Sequence, residues 1–149
     1  MNADPHRFKH KELTGKVIGV FYDVYNELGH GFIESVYEKS LQHALVSLGL
    51  KACRKIEIPV RFRGQPVGNF EADMLVEDCL LLELKAVRTL DNAHEAQLLN
   101  YLRATDIELG LLLNFGLKPQ FKRMVFDNSR KLQRKLSKSL LGELLDTSQ

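Results

Sequence analysis

Residues 69–87, NFEADMLVEDCLLLELKAV, restrict the fold more than any other stretch of the chain. They read as two strands joined by a tight turn, with Asp73, Glu83 and Lys85 standing where a core strand is otherwise apolar. Side chains two apart on a strand share a face, so Glu83 and Lys85 point the same way. With the turn centred on Asp78, Asp73 and Glu83 lie opposite each other, their Cβ atoms about 5 Å apart. Two carboxylates and an ammonium then converge on an apolar sheet, an arrangement that is costly unless compensated. A divalent metal is the simplest compensation, and hard oxygen ligands suit Mg²⁺ or Mn²⁺. The convergence depends on register. A two-residue turn at Glu77-Asp78 would set Asp73 against Leu82 and send Glu83 to the other face. An odd-length turn such as Glu77-Asp78-Cys79, or a bulge, is required. The other reading of these residues is a surface hairpin with a Glu–Lys pair on its wet face.

The chain has 149 residues, enough for one domain with a real core. Its 44% hydrophobic and 27% charged residues are those of a soluble globular protein, and a net charge of +2 selects no class of partner. No apolar run reaches transmembrane length, and the start, MNADPHRFKHKE, has no signal-peptide core. A cytoplasmic protein without a membrane partner is expected. Cys53 and Cys79 lack C-x-x-C spacing and are expected as reduced thiols. Two cysteines cannot hold a four-thiolate cluster within one chain, so no iron–sulfur cluster is expected.

Residues 1–10 are polar and predicted to fray. Leu13, Val17, Val20, Phe21, Val24 and Leu28 recur at helical spacing and predict a helix over 12–28, stopped by Gly29-His30-Gly31. A second helix is predicted over 33–48, forming a hairpin with the first. A strand over 51–62 follows, with Pro59 arguing for a sheet edge. Strands near 67–76 and 80–87 complete an antiparallel meander. Leu80-Leu81-Leu82 is apolar on both faces, as in a central strand covered on both sides. A third helix from about Thr89 to Ala104 leads to a buried strand over 107–115. This strand–helix–strand unit makes the last strand parallel to the third. A fifth strand over 120–126 and a final helix over 129–145, carrying Leu132, Leu136, Leu140 and Leu144, end the chain. The whole reads as a single domain of residues 1–149 with its core at about 12–127.

Two further constellations carry chemistry. Gln97 and Tyr101 are an i,i+4 pair on one face of the third helix, with His94 a turn earlier. This helix starts at the end of the strand bearing Lys85, so the pair either overhangs the carboxylate patch or lines an ordinary half-wet face. Glu34 opens the second helix, where the helix dipole alone favours it. It could equally reach the patch as a further carboxylate, and Glu38, one turn on, competes for that role. Tyr37 reads as core.

These residues, in order, resemble a known pattern. Gly31-Phe32-Ile33-Glu34-Ser35-Val36-Tyr37 spells G-x-x-E-x-x-Y, followed by Asp73, Glu83-Leu84-Lys85 and Gln97…Tyr101. The chain resembles the GxxExxY proteins of the PD-(D/E)xK nuclease-like superfamily, and its Q-x-x-x-Y element is similar to that of the RecB-like branch. The resemblance covers about Leu13 to Phe126. Ala72-Asp73 stands where the superfamily has a nominal Pro-Asp. The resemblance implies an α/β domain with a restriction-endonuclease-like core, a mixed four- to five-stranded sheet flanked by helices. It also implies roles. Asp73 and Glu83 would ligate Mg²⁺ (or Mn²⁺) with the Leu84 carbonyl, and Glu34 would complete the acidic site. Lys85 would orient or activate water and stabilise charge on the phosphate. Gln97 and Tyr101 would position the substrate backbone or the lysine.

Nucleic-acid binding has separate support in Lys118, Lys122, Arg123, Arg130, Lys131, Arg134, Lys135 and Lys138, opposed only by Asp127. Such a stripe contacts phosphates without regard to sequence. It equally suits the polar back of a leucine-faced helix. Arg54, Lys55, Arg61 and Arg63 on the first hairpin form a second candidate. The expected function is Mg²⁺-dependent hydrolysis of phosphodiester bonds of DNA, with RNA second. The competing expectation is a catalytically silent nucleic-acid- or protein-binding module on the same fold. A small single domain would act with a partner protein or as a homodimer to cut both strands.

Overall fold

The computed structural model describes residues 5–131. Its elements run α1 (Pro5–Leu28), α2 (Glu34–Ser47), β1 (Ala52–Phe62), β2 (Gln65–Val76), β3 (Leu80–Lys85), α3 (Asn92–Arg103), β4 (Leu109–Phe115) and β5 (Pro119–Val125). The strands form one sheet in the order β1-β2-β3-β4-β5. Only the β3–β4 pair is parallel, as the crossover through α3 demands; the other neighbours are antiparallel. This mixed five-stranded sheet flanked by helices is the restriction-endonuclease-like architecture. The predicted helix over 129–145 lies outside the described residues except for its first turn.

The two faces carry separate cores. Val17, Phe21, Tyr37, Leu41 and Leu45 of α1 and α2 pack on Leu80, Leu82, Leu84, Leu111 and Leu113. Leu98, Tyr101 and Leu102 of α3 cover Leu81, Leu112, Ile58 and Ala72. β3 and β4 are therefore buried on both faces, which is why their sequences read as unbroken apolar runs. Gly110 admits α3 closely: a Cβ there would lie 3.0 Å from Leu98 Cδ1.

Helix α1 begins at Pro5, earlier than its apolar periodicity suggests and in a stretch predicted to fray. The first turn is where proline's missing N–H costs nothing, and lysine and arginine extend a helix without needing a buried face. β3 ends at Lys85 and α3 starts only at Asn92, each two to three residues inside the predicted bounds. Asp91 caps α3 by accepting from the Ala93 and His94 amides, while His94 Nδ1 accepts from the Asp91 amide.

Alternation in β1 and β2 breaks at one level of the sheet. Ala52, Met74 and Val76 face α1 and α2, yet Ile56, Ile58 and Ala72, at the same parity, face α3. The break falls at Lys55, whose φ of 59° is left-handed. Arg54 pairs with Met74 and Ile56 with Ala72, so Lys55 stands across from Asp73. Beyond that level the β1–β2 hairpin turns its apolar side toward α3.

Candidate active site

The β2–β3 turn is Glu77-Asp78-Cys79, the odd length that the convergence of carboxylates requires, since Val76 pairs with Leu80. Glu77 and Asp78 both take left-handed φ, 51° and 57°. The neighbouring Lys51 supports that conformation: its amide donates to Glu77 Oε1 at 2.9 Å and its Nζ meets Asp78 Oδ1 at 2.9 Å. From this turn the ladder runs through Leu75–Leu81 and Met74–Leu82 and brings Asp73 opposite Glu83.

At that level side chains replace the backbone ladder. Glu83 Oε1 accepts from the Asp73 amide at 2.9 Å, and Asp73 Oδ2 accepts from the Leu84 amide at 2.7 Å. Each carboxylate thus bonds across the point where β2 and β3 part. Glu83 is 3% exposed and Asp73 half-buried. Burial pushes the Glu83 carboxyl up to about 8, helped by the charges of Asp73 and Glu34 and opposed by the Asp73 amide and Lys85. Burial also raises Asp73, with Glu38 and Glu34 adding to the rise and the Leu84 amide and Lys55 opposing it. Lys85, half-buried on the face it shares with Glu83, makes no ion pair among the described residues.

The donor set fits a hard divalent cation. Asp73 Oδ1 and Glu83 Oε2 make no hydrogen bond among the described residues, and both carboxyls are held above their usual range chiefly by burial, with Asp73 adding to the rise of Glu83 and Glu38 and Glu34 adding to that of Asp73. No cluster of three histidine, cysteine or acidic side chains close enough for one ion occurs among the described residues. A hard divalent cation can be held by one or two carboxylates while water fills its remaining positions.

Glu34 lies in the first turn of α2, exposed, and acts on Asp73 and Glu83 through its charge. The loop before it is fixed by Tyr37, whose hydroxyl donates to the Gly29 carbonyl at 2.5 Å and accepts from the Phe32 amide at 3.2 Å. The Tyr37 ring stacks on Phe115 at 4.3 Å. Gly31, at φ 113°, supplies the bend that only glycine takes readily. Glu38, one turn further, is 2% exposed and engages Arg54 Nε at 2.9 Å and Lys55 Nζ at 3.4 Å. It is the buried member of the two α2 glutamates and orders the β1 level opposite Asp73.

On α3, Gln97 Nε2 donates to the Tyr101 hydroxyl at 3.0 Å. Burial raises the Tyr101 phenol, and the charges of Glu83 and Asp73 add to the rise, so this pair feels the field of the carboxylates.

Asn114 went unnoticed in the sequence. It is fully buried and pairs with Lys85 across β3–β4. Its amide group holds both the N–H and the C=O of Val87, at 3.0 and 2.8 Å, and so fixes the chain just past Lys85. A polar residue inside an apolar strand, LGLLLNF, was the available signal.

The basic residues divide among several surfaces. Lys122 and Arg123 are adjacent on β5 and point to opposite faces. Lys122 meets Glu95 at 2.8 Å. Arg130 lies over Phe126 at 5.0 Å, and Lys131 donates to the Thr105 and Ile107 carbonyls at 2.8 and 2.7 Å. Lys118 is exposed in the β4–β5 turn. Arg134, Lys135 and Lys138 lie outside the described residues.

A family model described as the PD-(D/E)XK nuclease superfamily matches residues 11–124. The chain belongs to that superfamily. Its nucleases typically act with divalent metal ions. Among solved structures, SSO0001 aligns over 92% of this chain and 71% of its own, at 16% identity and a TM-score of 0.49. An alkaline exonuclease (LHK-Exo) from Laribacter hongkongensis aligns over 70% of this chain and 62% of its own, at 15% identity and a TM-score of 0.36. No curated protein matches the sequence. Among the described residues no helix is long and apolar enough to cross a membrane.

Proposed function

We propose that this chain is a metal-dependent nuclease hydrolysing phosphodiester bonds of DNA, with Mg²⁺ or Mn²⁺ held between Asp73 and Glu83. The observation that carries the reading is the cross-strand bonding of these two carboxylates on the face they share with Lys85, within the stretch matched by the superfamily model. A dead site has no physical reason to keep such charges in a sheet core. Asp73 and Glu83 would hold the metal, which when bound would supply positive charge against the phosphate oxygens and lower the pKa of water. Lys85 faces the same patch and offsets the negative charge that grows on the phosphate. Gln97 and Tyr101 place the phosphate backbone from the α3 side, and Glu34 adds negative field from α2. The Gly31–Tyr37 segment supports assignment to the GxxExxY group.

The test is cleavage of single-stranded, duplex and branched DNA with Mg²⁺ or Mn²⁺. Metal-dependent cutting by wild type that disappears in folded Lys85→Ala and Asp73→Asn variants is the expected result. Cutting that persists in both variants would refute the site. Binding without cutting on any substrate would reassign the chain as a silent nucleic-acid-binding module.

A further inference from the structure

A cleft of about 980 Å³ runs between the β1–β2 hairpin and α3. It exists because the sheet switches faces at Lys55 and turns the hairpin toward α3. Gln97 and Tyr101 line it, and the charges of Glu83 and Asp73 act on the Tyr101 phenol, so the cleft lies within electrostatic reach of the carboxylate pair. Phe70 lines its wall, 50% exposed, with its ring 6.0 Å from that of Tyr101. Arg61 stands on the hairpin wall and Arg103 on the helix wall; both are exposed and neither has a carboxylate within 4 Å among the described residues.

We propose that this cleft binds a single strand of nucleic acid, with an unpaired base stacked on Phe70 and the backbone phosphates between Arg61 and Arg103. The inference rests on the nuclease reading of the neighbouring site and names its substrate form. An exposed aromatic flanked by unpaired cations is how single strands are held without sequence reading, because every unpaired base offers a π face. In a duplex those faces are covered by neighbouring pairs, and a ring standing in a cleft meets only the backbone or groove edges. The two arginines on opposite walls supply charge complementary to phosphate, and Arg103 is kept in place by stacking on Phe126 at 5.4 Å. The strand leaves the cleft past Tyr101 and enters the Asp73–Glu83 site.

The test is binding of a single-stranded oligonucleotide carrying 2-aminopurine to the full chain in EDTA, where cleavage is blocked, alongside a duplex of the same sequence. Wild type is expected to bind the single strand at least about 10-fold more tightly than the duplex and to quench the probe. Phe70→Leu is expected to weaken single-strand binding about 10-fold and to remove the quenching. Arg61→Ala and Arg103→Ala are each expected to reduce the slope of log K against log salt by about 0.7. Duplex binding as tight as single-strand binding, or single-strand binding unchanged in Phe70→Leu and both arginine variants, overturns the inference. If wild type still cuts DNA in that case, the nuclease reading stands and only the cleft assignment falls. If wild type neither cuts nor binds, both fall.

Discussion

Asp73 and Glu83 bond across the parting of β2 and β3: Glu83 Oε1 accepts from the Asp73 amide at 2.9 Å, and Asp73 Oδ2 accepts from the Leu84 amide at 2.7 Å. Each carboxylate spends one oxygen on the opposite strand's backbone and keeps the other outside that network. The arrangement explains how two acids persist in a sheet whose neighbours are leucines. The backbone amides there would otherwise lack ladder partners, and an unpaired buried amide costs about 1–3 kcal/mol. The same bonds fix both side chains where β2 and β3 part, so that, if the nuclease reading holds, a cation would meet them already ordered.

Metal binding should therefore release a proton. With Glu83 pushed up to about 8, the metal-free protein carries a proton there at pH 7 and loses it when the cation binds. Calorimetric titration with Mn²⁺ in buffers of different ionisation enthalpy should show close to one proton released at pH 7 and far fewer at pH 9.5. Affinity should rise as pH climbs through about 8 and then level off. Glu83→Gln should remove both the release and the pH dependence; a release that survives in this variant would place the titrating group elsewhere.

The same carboxyl sets a stability trend. A group whose folded pKa exceeds its unfolded value contributes stability that is complete below the unfolded pKa and is lost as pH rises through the folded one. For Glu83 the window runs from 4.5 to about 8, and Asp73 acts in the same direction. Metal-free protein should thus unfold at lower urea as pH is raised from 5 to 8.5, and the slope should flatten in Glu83→Gln. Saturating Mg²⁺ should reverse the loss, since a ligand held only by the folded state stabilises it. A midpoint that climbs with pH in the metal-free protein would contradict the burial of Glu83.

Much of this is legible in the sequence alone. Leucine runs announced strands buried on both sides, and helical spacing placed α2 and α3. The turn was a condition, not a reading: Glu77 and Asp78 adopt left-handed φ without the glycine that usually signals it, and Lys51 supports them from 26 and 27 residues away. Lys55 hid the face switch for the same reason, because a left-handed lysine looks like any lysine in a string. Glu34 and Glu38 were interchangeable by spacing, and only the packing of α2 against Arg54 and Lys55 separates the exposed one from the buried one. Residues 118–138 read as one basic stripe, but in its described part, 118–131, the two-residue period of β5 and the local partners of Lys122 and Lys131 distribute the charge over several surfaces.

Asn114 ties the end of β3 to β4, and its loss should be felt in both stability and chemistry. Asn114→Ala empties a fully buried position and leaves the N–H and C=O of the half-buried Val87 without their partner. The expected cost is about 2 kcal/mol in urea denaturation. If the nuclease reading holds, turnover should drop more than substrate binding, because Lys85 lies two residues from the released segment. Asn114→Asp keeps the acceptor for the Val87 amide and loses the donor, so it should rescue only part of the stability. Wild-type stability in Asn114→Ala would mean that β3 is held past Lys85 by other contacts.

Tyr37 offers a way to separate packing from positioning around Glu34. Tyr37→Phe keeps the ring stacked on Phe115 and removes only the hydroxyl that joins the Gly29 carbonyl to the Phe32 amide. Stability should fall by about 1 kcal/mol, the typical net worth of such bonds. Tyr37→Ala should cost about 3–5 kcal/mol, since it empties a fully buried aromatic site. The loop from Gly29 to Ile33 sets where α2 begins and hence where the Glu34 charge sits. Loosening it should relax the influence of Glu34 on Glu83, and the apparent pKa of metal binding should shift downward from about 8 in Tyr37→Phe. Glu34→Gln should produce the same downward shift with a stability loss of no more than about 1 kcal/mol, because its side chain is exposed and only the helix dipole favours its charge there. If Tyr37→Phe destabilises the fold without moving that pKa, the tyrosine serves the core alone and the loop holds Glu34 in place without it.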